Sequence, residues 1–155
     1  MDSYLLLKSL HLLGVVLFIG NIVVTGWWKV MADRTRNPAV VAFAQRQVTL
    51  TDWVFTLGGS MLVGIAGLVN ALVHDIPLNT PWLLWGGGLF LSSALIWGLF
   101  LIPLQIRLGA MARAFAGTDT IPEEYWPLSR NWLLWGTAAT LLPVAVIPVM
   151  VFKGV

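Results

Sequence analysis

Residues 9–28 contain no Asp, Glu, Lys or Arg, and this uncharged stretch constrains the fold more than any other feature of the chain. In a helix, about 20 apolar residues span the hydrocarbon core of a bilayer. The rest of the chain is similar, because 58% of its 155 residues are hydrophobic and only 10% are charged. In soluble domains, about a quarter of all residues are charged. We therefore expect a helical integral membrane protein.

The few polar and small residues of this first stretch recur every three or four positions, so they share one face of a helix. They are Tyr4, Lys8, His11, Gly14, Asn21, Thr25 and Trp28. A second apolar stretch carries a similar stripe, formed by Thr56, Ser60, Gly67, Asn70 and His74. Because lipid cannot hydrogen-bond polar groups, we expect the two stripes to meet inside the protein.

The order of apolar and polar stretches predicts an all-α fold, a single domain with four transmembrane helices. These helices are expected at about 4–31, 52–73, 81–106 with an extension to about 116, and 131–152, with surface segments at 38–50 and 118–129. Asn37-Pro38 is typical of a helix start, and Gly117 suits the end of the extended third helix. The short connection at 74–80 predicts antiparallel neighbours in a bundle.

Basic residues are concentrated on one side of the predicted bundle. The connections after the first and third helices hold Lys29, Arg34, Arg36, Arg46, Arg107, Arg113 and Arg130, whereas the opposite side holds Lys8 and Lys153. Loops rich in Lys and Arg stay in the cytoplasm, so both termini are expected on the non-cytoplasmic side.

Small residues and a proline lead to two expectations about packing. Ser60 and Gly64 form a small-xxx-small pair, which permits close approach of two helices. Pro143 lies inside the fourth helix and frees backbone carbonyl groups of the preceding turn. Thr137 and Thr140 are the hydroxyl groups expected to satisfy those carbonyls.

Several classes of function have no support in the sequence. The chain has no cysteine, which excludes disulfides, thiolate catalysis and iron–sulfur ligation by its own residues. It shows no dense basic face for nucleic acid, and no phosphate-binding loop, nucleophile motif or zinc signature. The lipid bilayer is the partner that the composition indicates, and enzymatic activity is left open.

His11 is the main candidate for a functional residue, because it is expected about 10 Å inside the membrane, counting from Tyr4. A neutral imidazole is a strong metal ligand and can be buried, so His11 is a candidate ligand for a metal or haem iron. Lys8 lies one turn nearer the surface, where it could meet a haem propionate. Asn70 is expected level with His11, and His74 is a weaker candidate ligand. The alternative is that His11 hydrogen-bonds Asn70 or a threonine and only fixes helix packing.

The stretch YLLLKSLHLLGVVLFIGN at 4–21 resembles the first helix of the HemJ-type protoporphyrinogen oxidases, which opens with a similar lysine–x–x–histidine. It also resembles the copper-resistance protein D group. Over most of the chain, including MVFK at 150–153, the sequence is similar to an uncharacterised bacterial integral-membrane family, domain of unknown function 2269. The resemblance implies a four-helix bundle in the bacterial inner membrane that holds haem b, porphyrin or, less favoured, copper. Lys8, His11 and Lys153 are the residues that match.

The sequence departs from the oxidase pattern at two places. The oxidases carry an arginine and a further histidine at the end of the first helix, where this chain reads Gly26-Trp27-Trp28-Lys29-Val30. They also carry histidines in the third helix, whereas residues 82–88 contain none. Haem ligation by two histidines would therefore require His74 or a partner subunit.

Three functional hypotheses follow. The first is a cofactor-binding redox protein with His11 as ligand, in which Gly14 and Gly67 leave room for a flat macrocycle. The second is a non-catalytic accessory subunit of a larger membrane complex, or a homo-oligomer, because glycine-rich faces are abundant. A transporter or channel is least favoured, since Asp52 and Asp75 are expected at helix ends rather than within the membrane.

Overall fold

The computed structural model describes residues 2–153 and consists of six α-helices, two of which are extended by π-helical segments. The helices are α1 (Ser3–Thr35), α2 (Pro38–Thr51), α3 (Gly58–Val73), α4 (Pro81–Ile96), α5 (Ile102–Phe115) and α6 (Tyr125–Phe152). Segment π1 (Asp52–Leu57) joins α2 to α3, and segment π2 (Trp97–Leu101) joins α4 to α5. The result is four continuous rods, each long and apolar enough to cross a membrane. In chain order they are α1, then α2 with π1 and α3, then α4 with π2 and α5, and finally α6. The all-α prediction with four transmembrane helices is confirmed.

The second rod begins earlier than the sequence indicates and ends at Val73. Asn37 caps it as expected, because its side chain accepts hydrogen bonds from the backbone amides of Ala39 and Val40. Residues 38–50, expected as a separate surface segment, continue without a break through π1 into α3. No proline interrupts residues 39–73, so the helical hydrogen bonds persist. Similarly, α6 begins at Tyr125 rather than near residue 131.

We call the side with the connections 36–37 and 116–124 the loop end, and the side where α1 begins the terminal end. Most of the buried apolar core lies towards the loop end, where α2, α5 and the first half of α6 pack together. Its members are Val41, Val48, Leu101, Leu108, Ala112, Phe115, Tyr125, Trp132 and Ala139. Away from this core most of the apolar side chains are exposed, as lipid-facing helices require.

Towards the terminal end the rods pack mainly as two pairs, and α1 with α3 is the first pair. Gly14 and Gly59 bring the two backbones together, because a Cβ atom on Gly59 would lie 2.7 Å from the Phe18 nitrogen. The predicted Ser60–Gly64 contact is wrong. The Ser60 hydroxyl donates to the Leu57 carbonyl, and Gly64 is exposed.

The second pair, α4 with α6, is held around the proline of α6. Pro143 has no backbone N–H, so the Ala139 carbonyl loses its helical donor. The Ser93 hydroxyl of α4 donates to that carbonyl at 2.7 Å. The prediction for Thr137 and Thr140 is wrong, since each hydroxyl donates to the carbonyl four residues earlier in its own helix.

The π2 segment ends two residues before Pro103 and changes the hydrogen-bond pattern there. The Ile102 amide donates to the Trp97 carbonyl, five residues earlier, which is the bond of a π-helical turn. Because proline has no backbone N–H, a helix loses the hydrogen bond to the carbonyl four residues before the proline. A wider turn at this place is a favourable way for the helix to continue. Trp53 of π1 packs edge-to-face on Trp97 of π2, with ring centroids 5.9 Å apart.

We expect Gly59→Val to lower the free energy of unfolding by about 1–3 kcal/mol, because the added atoms must push α1 and α3 apart. Gly58→Val is the matched control, since a Cβ atom at Gly58 meets nothing within 4 Å. Unfolding can be followed through the tryptophan fluorescence of the protein during titration with sodium dodecyl sulfate in mixed micelles. Equal destabilisation by both substitutions would contradict the close α1–α3 contact.

Candidate functional site

The two polar stripes predicted from the sequence do face each other between α1 and the second rod. The Asn21 amide nitrogen donates to the Asp52 carboxylate at 3.2 Å and to the Thr56 hydroxyl at 2.9 Å. Thr25 is buried, and its hydroxyl donates to the Asn21 carbonyl of the same helix. Trp28 departs from the pattern, because 49% of its surface is exposed.

His11 lies in the same interface, nearer the terminal end. Its Nδ1 atom donates to the Val63 carbonyl at 2.9 Å, which places the lone pair of a neutral ring on Nε2. A Cβ atom on Gly67 would lie 3.0 Å from Nδ1, so the imidazole edge fills the space beside this glycine. Metal-binding histidines usually donate their second nitrogen to a carbonyl or carboxylate in this way. His11 therefore satisfies one requirement of a metal ligand.

A porphyrin does not fit between α1 and α3 at His11. Gly14 was expected to leave room for the macrocycle, but a Cβ atom there would lie 2.9 Å from the Gly59 carbonyl oxygen. Gly67 is covered by the His11 ring itself. Because both glycines serve close packing within the protein, a metal could approach His11 only from the side away from α3.

The other predicted site residues lie at the terminal end and are not gathered around His11. His74 donates from Nδ1 to the Asn70 carbonyl at 3.0 Å, and its Nε2 is 3.3 Å from the Ser3 hydroxyl. Both nitrogens of His74 are thus engaged. The Asn70 side-chain oxygen is buried without a hydrogen-bond donor among residues 2–153. Lys8 is exposed, with its Nζ atom 5.7 Å from the centre of the Tyr4 ring.

His11 and His74 are separated by about two helical turns. Ser3 contacts His74 and lies eight residues before His11, which corresponds to about 12 Å along α1 at about 1.5 Å per residue. Within the described part of the chain, no group of three or more His, Asp or Glu residues is placed to hold a metal ion.

Asp52 forms a polar cluster that was not predicted. Only 5% of its surface is exposed, and it lies in the middle of the second rod rather than at a helix end. Its carboxylate accepts from the Asn21 amide, from the Thr56 hydroxyl at 2.9 Å and from the Gln105 amide. The expectation that this acid lies at a helix end is therefore wrong. The cluster links α1, the second rod and α5.

A second buried polar cluster is centred on Lys29, whose surface is 1% exposed. Its ammonium group contacts both Asp33 carboxylate oxygens at 2.9 and 2.8 Å, the Tyr125 hydroxyl at 2.7 Å and the Ser129 hydroxyl at 2.8 Å. Ser129 in turn donates to Asp33. Every proton of the ammonium group can be satisfied here, so the cluster ties the end of α1 to the start of α6.

A cavity of about 600 Å³ lies between α1 and α6, on the terminal side of the Lys29 cluster. Asp52 and Thr56 contribute to its wall, together with Ser93 and Trp97 from the third rod. The remaining lining is largely apolar, and it includes the exposed residues Val23, Val24, Trp27, Leu133 and Leu141. Because these exposed residues face the hydrocarbon in a membrane, the cavity opens towards the bilayer.

Residues 5–154 match the family DUF2269, described as predicted integral membrane protein. The chain belongs to the DUF2269 family. The match covers almost the whole sequence and agrees with the four membrane-spanning rods. No curated protein and no solved structure matches this DUF2269 protein significantly.

Sequence reasoning found Asn21 and Thr56 of the Asp52 cluster but missed Asp52, Gln105 and the Lys29 cluster. In this DUF2269 protein, Asn21 and Thr56 stand out by their helical spacing, but Gln105 belongs to no stripe. Lys29 follows an apolar stretch, where lysines usually extend to the headgroups. The spacing Lys29 to Asp33 is the one available signal, because residues four apart share a helix face.

We expect Lys29→Met to destabilise the protein by about 3–5 kcal/mol, because it leaves Asp33 without its cation in a mostly buried position. Arg34→Met is the control, since Arg34 is exposed. Adding Asp33→Asn to Lys29→Met should recover part of the loss, because the unpaired charge is then removed. The measurement is the free energy of unfolding in mixed micelles. A Lys29→Met variant as stable as Arg34→Met would contradict the stabilising role of the Lys29 cluster.

Proposed function

We propose that this DUF2269 protein binds a lipophilic small molecule in the cavity between α1 and α6. The observation that carries this proposal is the cavity itself, whose volume of about 600 Å³ falls within the range of about 300–1,000 Å³ of small-molecule sites. Such sites combine an apolar lining with a few polar groups. Here the polar groups include Asp52, Thr56 and Ser93, and the rest of the wall is mostly apolar.

The surroundings of the cavity support a ligand that enters from the membrane. Its opening is bordered by exposed apolar residues of α1 and α6, and lipid is the phase in contact with them. The wall formed by the Asp52 cluster is anchored by hydrogen bonds from three rods, so the polar groups hold their positions without a ligand. A preformed site of this kind loses little conformational entropy on binding.

We expect Gly136→Phe to fill the cavity and to abolish binding of the neutral probe neopentylbenzene. Gly136 lines the cavity, and a Cβ atom there makes only ordinary contact with Leu101 at 3.9 Å. At a probe concentration ten times the Kd, binding stabilises the folded protein by about 1.4 kcal/mol. The thermal unfolding midpoint, measured by tryptophan fluorescence in an uncharged detergent, should therefore rise in the wild type but not in Gly136→Phe.

Gly20→Phe is the matched control for this experiment. Gly20 is a helical glycine on α1, a Cβ atom there meets nothing within 4 Å, and it does not line the cavity. It should respond to the probe like the wild type. If all three proteins respond equally, the probe acts through the micelle and the proposed site is wrong. Native mass spectra of the same preparations should show a co-purified molecule that Gly136→Phe lacks.

As a second candidate, His11 binds a metal through Nε2 on the side away from α3. The hydrogen bond from Nδ1 to the Val63 carbonyl supports this role, because it orients the ring and leaves the Nε2 lone pair for a ligand. The resemblance of residues 4–21 to the HemJ-type and copper-resistance families also supports it, with haem iron ahead of copper. When bound, such a group would supply redox chemistry, and the role of the chain would be to position it.

We expect a Soret band in the purified wild type, either as isolated or after addition of haemin, and we expect His11→Ala to lose it. His74→Ala is the matched control, because both nitrogens of His74 already have hydrogen-bond partners. The visible spectrum decides the outcome. A colourless preparation that responds to neither haemin nor copper(II) would end the metal-binding proposal.

The setting proposed for either function is the bacterial inner membrane, with both termini on the non-cytoplasmic side. The excess of basic residues at the loop end supports this orientation. An accessory subunit or a homo-oligomer is the alternative role. It is favoured by Gly88 of α4, because Gly88 is exposed, a Cβ atom there meets nothing within 4 Å, and small exposed residues suit contact with another helix. The native mass spectra described above also report the number of chains.

A further inference from the structure

We propose that the ligand of the cavity is a lipophilic organic cation, whose positive charge is held by Asp52. This inference rests on the proposed binding function of the cavity and adds the charge of the ligand. It comes from two observations together: an acid buried inside a membrane-spanning rod, and a cavity whose wall includes that acid.

The hydrogen bonds around Asp52 suit its ionised form. Asn21 and Gln105 both direct their amide nitrogens at the carboxylate, and the Thr56 hydroxyl donates to it. A carboxylate accepts hydrogen bonds only, whereas a protonated carboxyl group would also need an acceptor. Three donors and no dedicated acceptor therefore favour a negative charge at this position.

No basic side chain neutralises this charge within residues 2–153. The single ion pair there is Lys29 with Asp33, and Lys29 lies eight residues beyond Asn21 on α1. The arginines of the other rods, Arg46, Arg107, Arg113 and Arg130, are exposed. A carboxylate that is buried without a cation tends to take up a proton instead. A bound cation from outside the chain would therefore complete this site, because it would hold Asp52 in the ionised form that the three donors suit.

The lining of the cavity selects an organic cation over a metal ion. The lining of the cavity includes five aromatic residues, Phe18, Trp27, Phe90, Trp97 and Trp132. The faces of aromatic rings attract ammonium groups. A hydrated metal ion would find few oxygen ligands in a wall that is mostly hydrocarbon. A molecule with one positive group and an apolar body matches both the buried acid and the aromatic lining.

The test compares two probes of the same shape. Benzyltrimethylammonium carries a positive nitrogen where neopentylbenzene carries a carbon. We expect the wild type in an uncharged detergent to bind the cation on the order of tenfold more tightly, a preference that close charge pairs can supply. The Kd values come from the dependence of the thermal midpoint on probe concentration. Asp52→Asn should remove the preference, and the control Asp75→Asn, which changes an exposed loop acid, should keep it.

The outcomes separate this inference from the proposed function. If the wild type binds both probes equally well, the charge assignment is overturned, whereas the cavity function stands. If neither probe binds, both proposals fail. If sodium chloride, but not N-methylglucamine chloride, stabilises the wild type through Asp52 while benzyltrimethylammonium does not, the site takes a metal ion and the inference is wrong. The wild-type comparison alone decides the question if Asp52→Asn does not fold.

Discussion

Hydrocarbon cannot accept or donate hydrogen bonds, so every polar group inside the four rods must find its partner in the protein. The two buried clusters are the result of this constraint. Asp52 gathers Asn21, Thr56 and Gln105, and thereby connects α1, the second rod and α5. Lys29 gathers groups from α1 and α6. Because α1 takes part in both clusters, it joins the two halves of the bundle together with α2 and α5, which also pack against each other.

The same constraint accounts for the arrangement of the rest of the bundle. At the loop end the rods are joined by polar clusters and by the apolar core, whereas towards the terminal end they pack mainly as pairs through small residues. The Ser93 hydroxyl supplies the donor that Pro143 removes, so α4 and α6 stay together across the proline. On the terminal side of the Lys29 cluster, the space between α1 and α6 is not filled, and the cavity lies there with Asp52 in its wall.

The periodic stripes identified the polar residues that face protein on each single helix. They did not identify the residues of other helices that these polar residues contact. Asn21 and Thr56 were recognisable, because polar residues at helical spacing in an apolar stretch must face protein. Gln105 and the two hydroxyl partners of Lys29, on Tyr125 and Ser129, were not, since they lie 53 to 100 residues away from Asp52 or Lys29 in the chain. The predicted cofactor residues illustrate the same limit. His11 and His74 both lie in the predicted interface, but each has its own hydrogen bonds, and the structure does not bring them together.

The sequence by itself determined the number of membrane-spanning rods, their approximate positions and most of the residues that turn inwards on α1. These properties depend on the length and periodicity of single segments, which are local. Only the tertiary structure decided that α2 continues through a π-helical segment, that Gly59 rather than Ser60 and Gly64 makes the close contact, and that Asp52 lies beside a cavity. Those features depend on the rotation and separation of neighbouring helices, which are set by contacts between residues far apart in the chain.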